Sequence, residues 1–200
     1  DTLADFFKID GISGSMTAAV KASGPISSLD VSAMVSGKEI NYKGYRADSV
    51  NADLKIDAYD RISWSNGYVC LEGTQVKSRG KFTVSNMLTD ISLSVQKQGL
   101  ESNKRAGEIS FKGLLWKDSV SSGFKISKLD ISAISPWFSF DRNYKGALDA
   151  QGNFEGTWKA FQGKVEARLD QPGFKVHRLA SIDCILGMAD SLLTVKSIIF

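Results

Sequence analysis

The sequence predicts an all-β fold, and three observations carry the prediction. Apolar residues recur at every second position through most of the chain, glycine and asparagine punctuate it at short intervals, and no stretch sustains a helical stripe. Successive strand side chains point to opposite faces, so each alternating run has one apolar face and one polar face. The first run is Met16, Ala18, Val20 and Ala22, interleaved with Thr17, Ala19 and Lys21. Leu29, Val31, Ala33 and Val35 follow, then Val50, Ala52, Leu54 and Ile56. Further on come Ile91-Leu93-Val95, Ile109-Phe111, Leu129-Ile131-Ala133, Val165-Ala167-Leu169 and Ile182-Cys184-Leu186. The interleaved residues are Ser, Thr, Asn, Asp and Lys, the face of a solvated antiparallel sheet. Turn material such as Gly24-Pro25, Asn66-Gly67, Gly99 and Gly152-Asn153 recurs at roughly 8–12 residue intervals, and the 3 prolines leave long pairing uninterrupted. Phe6-Phe7 and Ile134–Phe138 read as short helical turns or crossovers.

Composition excludes several function classes. With 42% hydrophobic residues and 11 Phe the chain has ample core material, so it is not a disordered tail. The net charge is +3 and the basic residues are scattered, which argues against a nucleic-acid arm. Cys70, Cys184 and His177 are the only cysteines and histidine, too few for a zinc or iron–sulfur site, so no metal or other cofactor is expected. A Ser-His-Asp or Cys-His arrangement would depend on His177 alone. That residue reads as a surface position on a short strand, on the face opposite Phe174. The two cysteines read as small buried hydrophobes. There is no Gly-x-Ser-x-Gly, no phosphate-binding loop and no dinucleotide fingerprint, so no catalytic residue is assigned and the chain is not expected to be an enzyme. It begins Asp-Thr-Leu-Ala-Asp, without Met, and reads as a piece of a longer protein.

The chain also repeats itself. Sliding it by 132 residues places Gly14 on Gly146 and Gly24 on Gly156, with no gap. Met16 then meets Leu148, Ala18 meets Ala150, and Val50, Ala52, Leu54 and Ile56 meet Ile182, Cys184, Leu186 and Met188. The units are approximately 13–62 and 145–194, with a less similar β region at 63–144 between them. A shorter echo sets Ile26–Ala33 against Ile126–Ala133. Repeating β units that stack on their neighbours build a quasi-one-dimensional body.

The module Gly14–Gly24, then Ile26–Leu29 and an alternating strand, then Tyr42-Lys43-Gly44-Tyr45 and Val50–Leu54, resembles the TamB and AsmA-like superfamily. Leu129–Phe138 followed by Gly146–Gly156 is similar to that family's bridging segment and new unit. The resemblance covers about two thirds of the chain; residues 60–120 share only the alternation. It implies an elongated, folded-over antiparallel sheet, a β-taco or open sandwich, with an apolar concave face. It further implies the periplasmic part of a bacterial envelope protein anchored in the inner membrane. Such a protein shields phospholipid acyl chains in a groove and carries them between the inner and outer membranes. Partnership with an Omp85-type outer-membrane protein and a role in outer-membrane protein assembly are implied for the family, yet this sequence holds no motif for that docking.

Alternation alone leaves open whether the apolar face closes into a dry sandwich or stays apart as a groove. About fifteen strands folded into two walls at ~4.8 Å spacing would give a groove on the order of 35 Å. The residues expected to line it are Met16, Val20, Leu29, Val35, Val50, Leu54, Leu93, Phe111, Leu148, Phe161, Val165, Ile182 and Leu186. Small residues on the same face, such as Ala18, Ala33, Ala52, Ala150 and Ala167, would leave room for a ligand. Two other classes stand beside lipid shielding. A carbohydrate-binding module would expose some of Trp64, Trp116, Trp137, Trp158 and Phe140 as a stacking platform, and an adhesin or scaffold would use the strands only for length. Apolar termini such as Ser197–Phe200 predict that the isolated piece dimerises through open strand edges.

Overall fold

The computed structural model describes residues 12–42, 45–58, 60–97, 104–116, 119–138, 143–157, 160–189 and 192–199. Its strands are β1 (Ile12–Ser23), β2 (Asp30–Tyr42), β3 (Tyr45–Asp57), β4 (Arg61–Leu71), β5 (Thr74–Thr83), β6 (Leu88–Lys97) and β7 (Lys104–Trp116). They continue as β8 (Ser119–Asp130), β9 (Tyr144–Thr157), β10 (Ala160–Phe174), β11 (His177–Arg178), β12 (Ser181–Ala189) and β13 (Leu192–Ile199). One helix, α1 (Ile131–Phe138), joins β8 to β9, and a 3-10 turn at Ile26–Ser28 joins β1 to β2. All the strands form a single antiparallel sheet in chain order, with the two-residue β11 hung on β10. The fold is therefore an all-β meander. Each strand buys its hydrogen bonds from the strand just made, so closure entropy stays small at every step.

Antiparallel partners share a face, so the register extends the period-two pattern across the whole sheet. One row runs Val20, Ala33, Leu54, Trp64, Gly80, Ile91 and Phe111, then Phe124, Gly152, Val165, Leu186 and Val195. The opposite face carries the polar set, for example Ser36 opposite Asn51, Lys81 opposite Asp90 and Arg168 opposite Asp183. Several interstrand ladders are broken by a bulge, and an open sheet of this width coils under its own twist.

The 132-residue offset reappears in the backbone. β1, β2 and β3 correspond to β9, β10 and β12, and the pair Val35–Ala52 becomes Ala167–Cys184. The β1–β2 bulge lies between Ser15–Lys38 and Ser13–Asn41; its counterpart lies between Ala147–Asp170 and Lys145–Gly173. Gly14 has φ +126 and Gly146 +137, while Glu39 and Gln171 sit at φ 52 and 49. A third copy of the motif occurs at Gly107 (φ 136) and Lys128 (φ 49) in β7 and β8. In each case the glycine lies against the backbone just beyond the bulged residue. A Cβ on Gly14 would meet the Glu39 carbonyl at 2.6 Å, and one on Gly107 would meet the Leu129 Cα at 2.5 Å. Only glycine tolerates both that φ and that approach.

Three expectations are corrected. Leu129-Ile131-Ala133 reads as a strand by alternation, but β8 stops at Asp130 and α1 begins at Ile131. The Asp130 carboxylate accepts from the Ser132 backbone N–H at 2.9 Å and from its hydroxyl at 2.7 Å, which caps the helix. The similar octapeptide at Ile26–Ala33 instead makes the 3-10 turn and the start of β2, so tertiary context decides between the two. His177 does not oppose Phe174: a tight turn at Lys175 (φ 55) makes them cross-strand partners on one face. Cys70 and Cys184 are free and half-buried rather than buried. The Phe6-Phe7 segment lies outside the described residues.

Candidate functional site: an uncovered apolar sheet face

Register places the residues expected to line a groove on one face. Met16 lies opposite Gly37, Val35 between Ala18 and Ala52, Val50 between Gly37 and Val69, and Leu93 between Ser78 and Ile109. Leu148 sits between Leu129 and Leu169, and Ile182 beside Leu169. Val20, Leu54, Phe111, Val165 and Leu186 belong to the row traced above. Leu29 is outside the strands, half-buried at the end of the 3-10 turn. Phe161 pairs with Gly156 along the backbone, and its side chain lies outside the described residues.

The same face holds a pairing of aromatic and glycine that sequence reasoning did not single out. Trp64, Phe124 and Phe154 lie flat over the cross-strand glycines Gly80, Gly152 and Gly163. A Cβ on Gly152 would come within 2.5 Å of the Phe124 ring. Glycine under an aromatic ring fills the pleat without raising the face, so the surface stays smooth. These pairs appear only once the register is known. Trp64 is thereby half-buried as a packing residue rather than raised as a stacking platform. The side chains of Trp116 and Trp137, and the residues Trp158 and Phe140, lie outside the described set.

Among the described residues no second sheet covers this face. In a sandwich the inner rows of both sheets are buried. Among the described residues the clustered apolar core is Val95, Ala106, Leu129 and Ala133, where α1 lies across one end of the sheet, and Leu71, Val120 and Ala150 are buried singly elsewhere. Elsewhere the apolar row is half-buried, and at the β1 edge Val20 is 66% exposed and Met16 45%. The chain's accessible surface is 13697 Å², against about 9,300 Å² for a compact monomer of this mass. Both values describe an open layer. The twelve strands of the main path, at ~4.8 Å spacing, extend the face about 50 Å along the sheet.

Beside α1 the face ends in an apolar cavity of about 750 Å³ between the start of the helix and the β10–β11–β12 tip. Ile131, Leu169, Pro172, Phe174, Leu179 and Ile182 line it, with Tyr144, Lys145, His177 and Arg178 also bordering it. Lys145 and Arg178 are the partners of Gly173, on the face opposite Phe174 and His177. The polar face, by contrast, satisfies its charges locally. Arg168 pairs with Asp170 at 2.7 Å and Asp183 at 3.9 Å. Glu166 accepts from Lys164 and, at 3.0 Å, from Gln151, and these two hydrogen bonds, the lysine's first, hold its carboxyl below its ordinary value. Asp57 beside Lys55 raises that ammonium in the same way.

Among the described residues no group of three or more His, Cys, Asp or Glu side chains converges as a metal site, and no helix is long and apolar enough to cross a membrane. No protein-family model, curated protein or solved structure matches the chain.

Proposed function

We propose that this chain shields lipid acyl chains on its apolar sheet face, as a non-enzymatic, periplasmic segment of an envelope protein that passes phospholipid between two membranes. The observation that carries the acyl-shielding reading is the apolar row from Val20 to Val195, which among the described residues has no covering layer except near α1. Each CH₂ withdrawn from water onto such a face contributes about 0.8 kcal/mol, so a tail of about 16 carbons gains several kcal/mol even when half covered. A smooth wall of aliphatics and ring-covered glycines offers no single deep well, which suits a ligand that slides. The envelope setting, inner-membrane anchorage and any link to outer-membrane protein assembly rest on the resemblance to the TamB and AsmA-like superfamily.

Photo-crosslinking tests the reading. A benzophenone side chain at Leu54 or Leu186, on the apolar face, should capture phospholipid in cells or from vesicles. The same group at Asn51 or Gln151, on the polar face of the neighbouring positions, should not. Equal capture from both faces, or none from either, contradicts it.

A further inference from the structure

We infer that the tip of the β10–β11 hairpin docks into the interfacial layer of an anionic phospholipid bilayer. The inference goes beyond the acyl-shielding reading and does not depend on it. The tip is a two-residue turn, Lys175-Val176, closed by the pair Phe174–His177 and braced by the Leu179 N–H donating to the Pro172 carbonyl at 3.0 Å. Such turns favour Gly, Asn and Asp, yet Val176 stands at the apex, 88% exposed. Leu179 is 52% exposed, and Tyr144, its ring 4.8 Å from that of Phe174, is 47% exposed. A single exposed apolar side chain needs no account, but Leu179 and Tyr144 border the apolar cavity together with Pro172 and Phe174. Cations flank them. The Lys175 ammonium lies 5.3 Å from the centre of the Phe174 ring, and Lys145 and Arg178 pair with Gly173 on the opposite face. A tip that enters a bilayer end-on meets headgroups on both its faces, so bases behind an apolar apex reach phosphates from either side.

The first repeat shows that this tip is a departure. At the place of Val176 it has Gly44, at Leu179 Ala47, at Lys145 Ser13 and at Ala180 Asp48. Ala47 is buried, and Asp48 holds Arg46 at 3.6 Å. The second copy thus gains an apolar apex, a larger apolar side chain below it and, by lysine for serine and alanine for aspartate, two units of positive charge. Apolar and basic side chains interleaved on a protruding turn fit an interface that is apolar within and anionic at its surface. A stable protein partner would need about 800 Å² from this side, more than a two-residue turn presents.

The test floats the whole chain with vesicles of dioleoyl phosphatidylcholine, alone or mixed with an equal amount of dioleoyl phosphatidylglycerol. Wild type should bind the mixed vesicles more tightly. Val176→Gly, which installs the first repeat's residue and suits the turn, should weaken that binding about fivefold. Lys175→Gln with Arg178→Gln should weaken it about tenfold on the mixed vesicles and leave binding to pure phosphatidylcholine unchanged. Ile26, at the opposite end of the strands, is as exposed as Val176 but stands beside Ser27 and Ser28, so Ile26→Ser should change nothing. Leu54→Asp, on the open apolar face, should float as wild type does. No flotation by wild type, equal flotation of wild type and Val176→Gly, or flotation abolished by Leu54→Asp overturns the tip assignment, and equal binding to the two vesicle types overturns its anionic preference. Each of these leaves acyl shielding to the crosslinking test. Self-association that Val176→Gly abolishes, with no flotation, would make the tip a contact between copies of this chain and overturn the membrane assignment.

Discussion

In β1–β3 Gly37 occupies the place that Leu169 takes in the second repeat, and Arg46 has Asp48 two residues on where Arg178 has Ala180. Around these differences the two repeats share their registers, their bulge, their left-handed Glu39 or Gln171 and their positive-φ Gly14 or Gly146. The lesson is a division of labour. Backbone demands fix the path of the strands, and side chains on the apolar face are free to change its depth and charge. Position matters as well. Among the described strands β1 is at the edge, paired only with β2, while β9 lies between β8 and β10. The same backbone device is therefore exposed in one copy and enclosed in the other.

The largest effect should come from breaking that shared device. Gly146→Val places a β-branched residue at φ +137, with Leu169 and the Asp170 carbonyl 3.0 and 3.1 Å from its Cβ. The strain should cost about 3 kcal/mol and lower the urea midpoint accordingly. Gly14→Val makes an even closer contact, 2.6 Å to the Glu39 carbonyl, but the edge strand relieves it by detaching. We expect loss of amide protection confined to β1, with under about 1 kcal/mol of global destabilisation. Equal global losses for the two variants would break the edge-versus-interior distinction.

Next is the helix that covers one end of the face. Ala133 is 0% exposed against Val95 and Leu129. Ala133→Leu should overpack that junction by about 1–3 kcal/mol. Among the described residues no helix packs on the first repeat. Its positional echo Ala33, half-buried on the open face, should accept leucine at little cost in the same thermal or urea titration.

A smaller effect sharpens the charge comparison. Asp48→Ala frees Arg46 but leaves Ser13 and Gly37 in place. The exposed ion pair contributes little, but Asp48 also accepts from the Glu72 backbone N–H at 2.8 Å, so the urea midpoint should fall by the equivalent of about 1 kcal/mol. An unchanged midpoint would show that the Glu72 turn does not need this acceptor.

The smallest effect is electrostatic. The Glu166 carboxyl titrates below its ordinary 4.5, held there chiefly by Lys164 and then by Gln151. A folded-state value that is depressed makes the contribution present above the unfolded value and lost as pH falls through the folded one. Glu166→Gln should therefore trim the melting temperature slightly at neutral pH, and the gap to wild type should close as pH falls through the depressed folded-state value. A gap that widens on acidification would reverse the sign of this linkage.

The strand content was legible in the sequence because alternation and strand pairing have the same period, as at Val50–Ile56. The repeat was legible through Gly14 and Gly146, since a backbone that only glycine can adopt leaves a mark in the sequence. Glu39, Lys128 and Gln171 take left-handed conformations without glycine, so their bulges left none. Helix α1 was legible in part, at Ile134–Phe138; its first turn was hidden because Leu129-Ile131-Ala133 alternates like a strand, and the Asp130 cap and packing on Val95 and Leu129 turn it helical. Of the apolar face, the alternating positions within each strand were legible. The ring-over-glycine pairs and the cavity rim were not, because both join residues from different strands.

The most direct test is native mass spectrometry of the chain purified gently from cells, beside Leu54→Asp. The account predicts phospholipid adducts on the wild type that vanish in the variant while its strand signal in circular dichroism is unchanged. A bare protein mass that stays unaltered after incubation with phospholipid vesicles would contradict it, and would leave the open sheet as a spacer rather than a carrier.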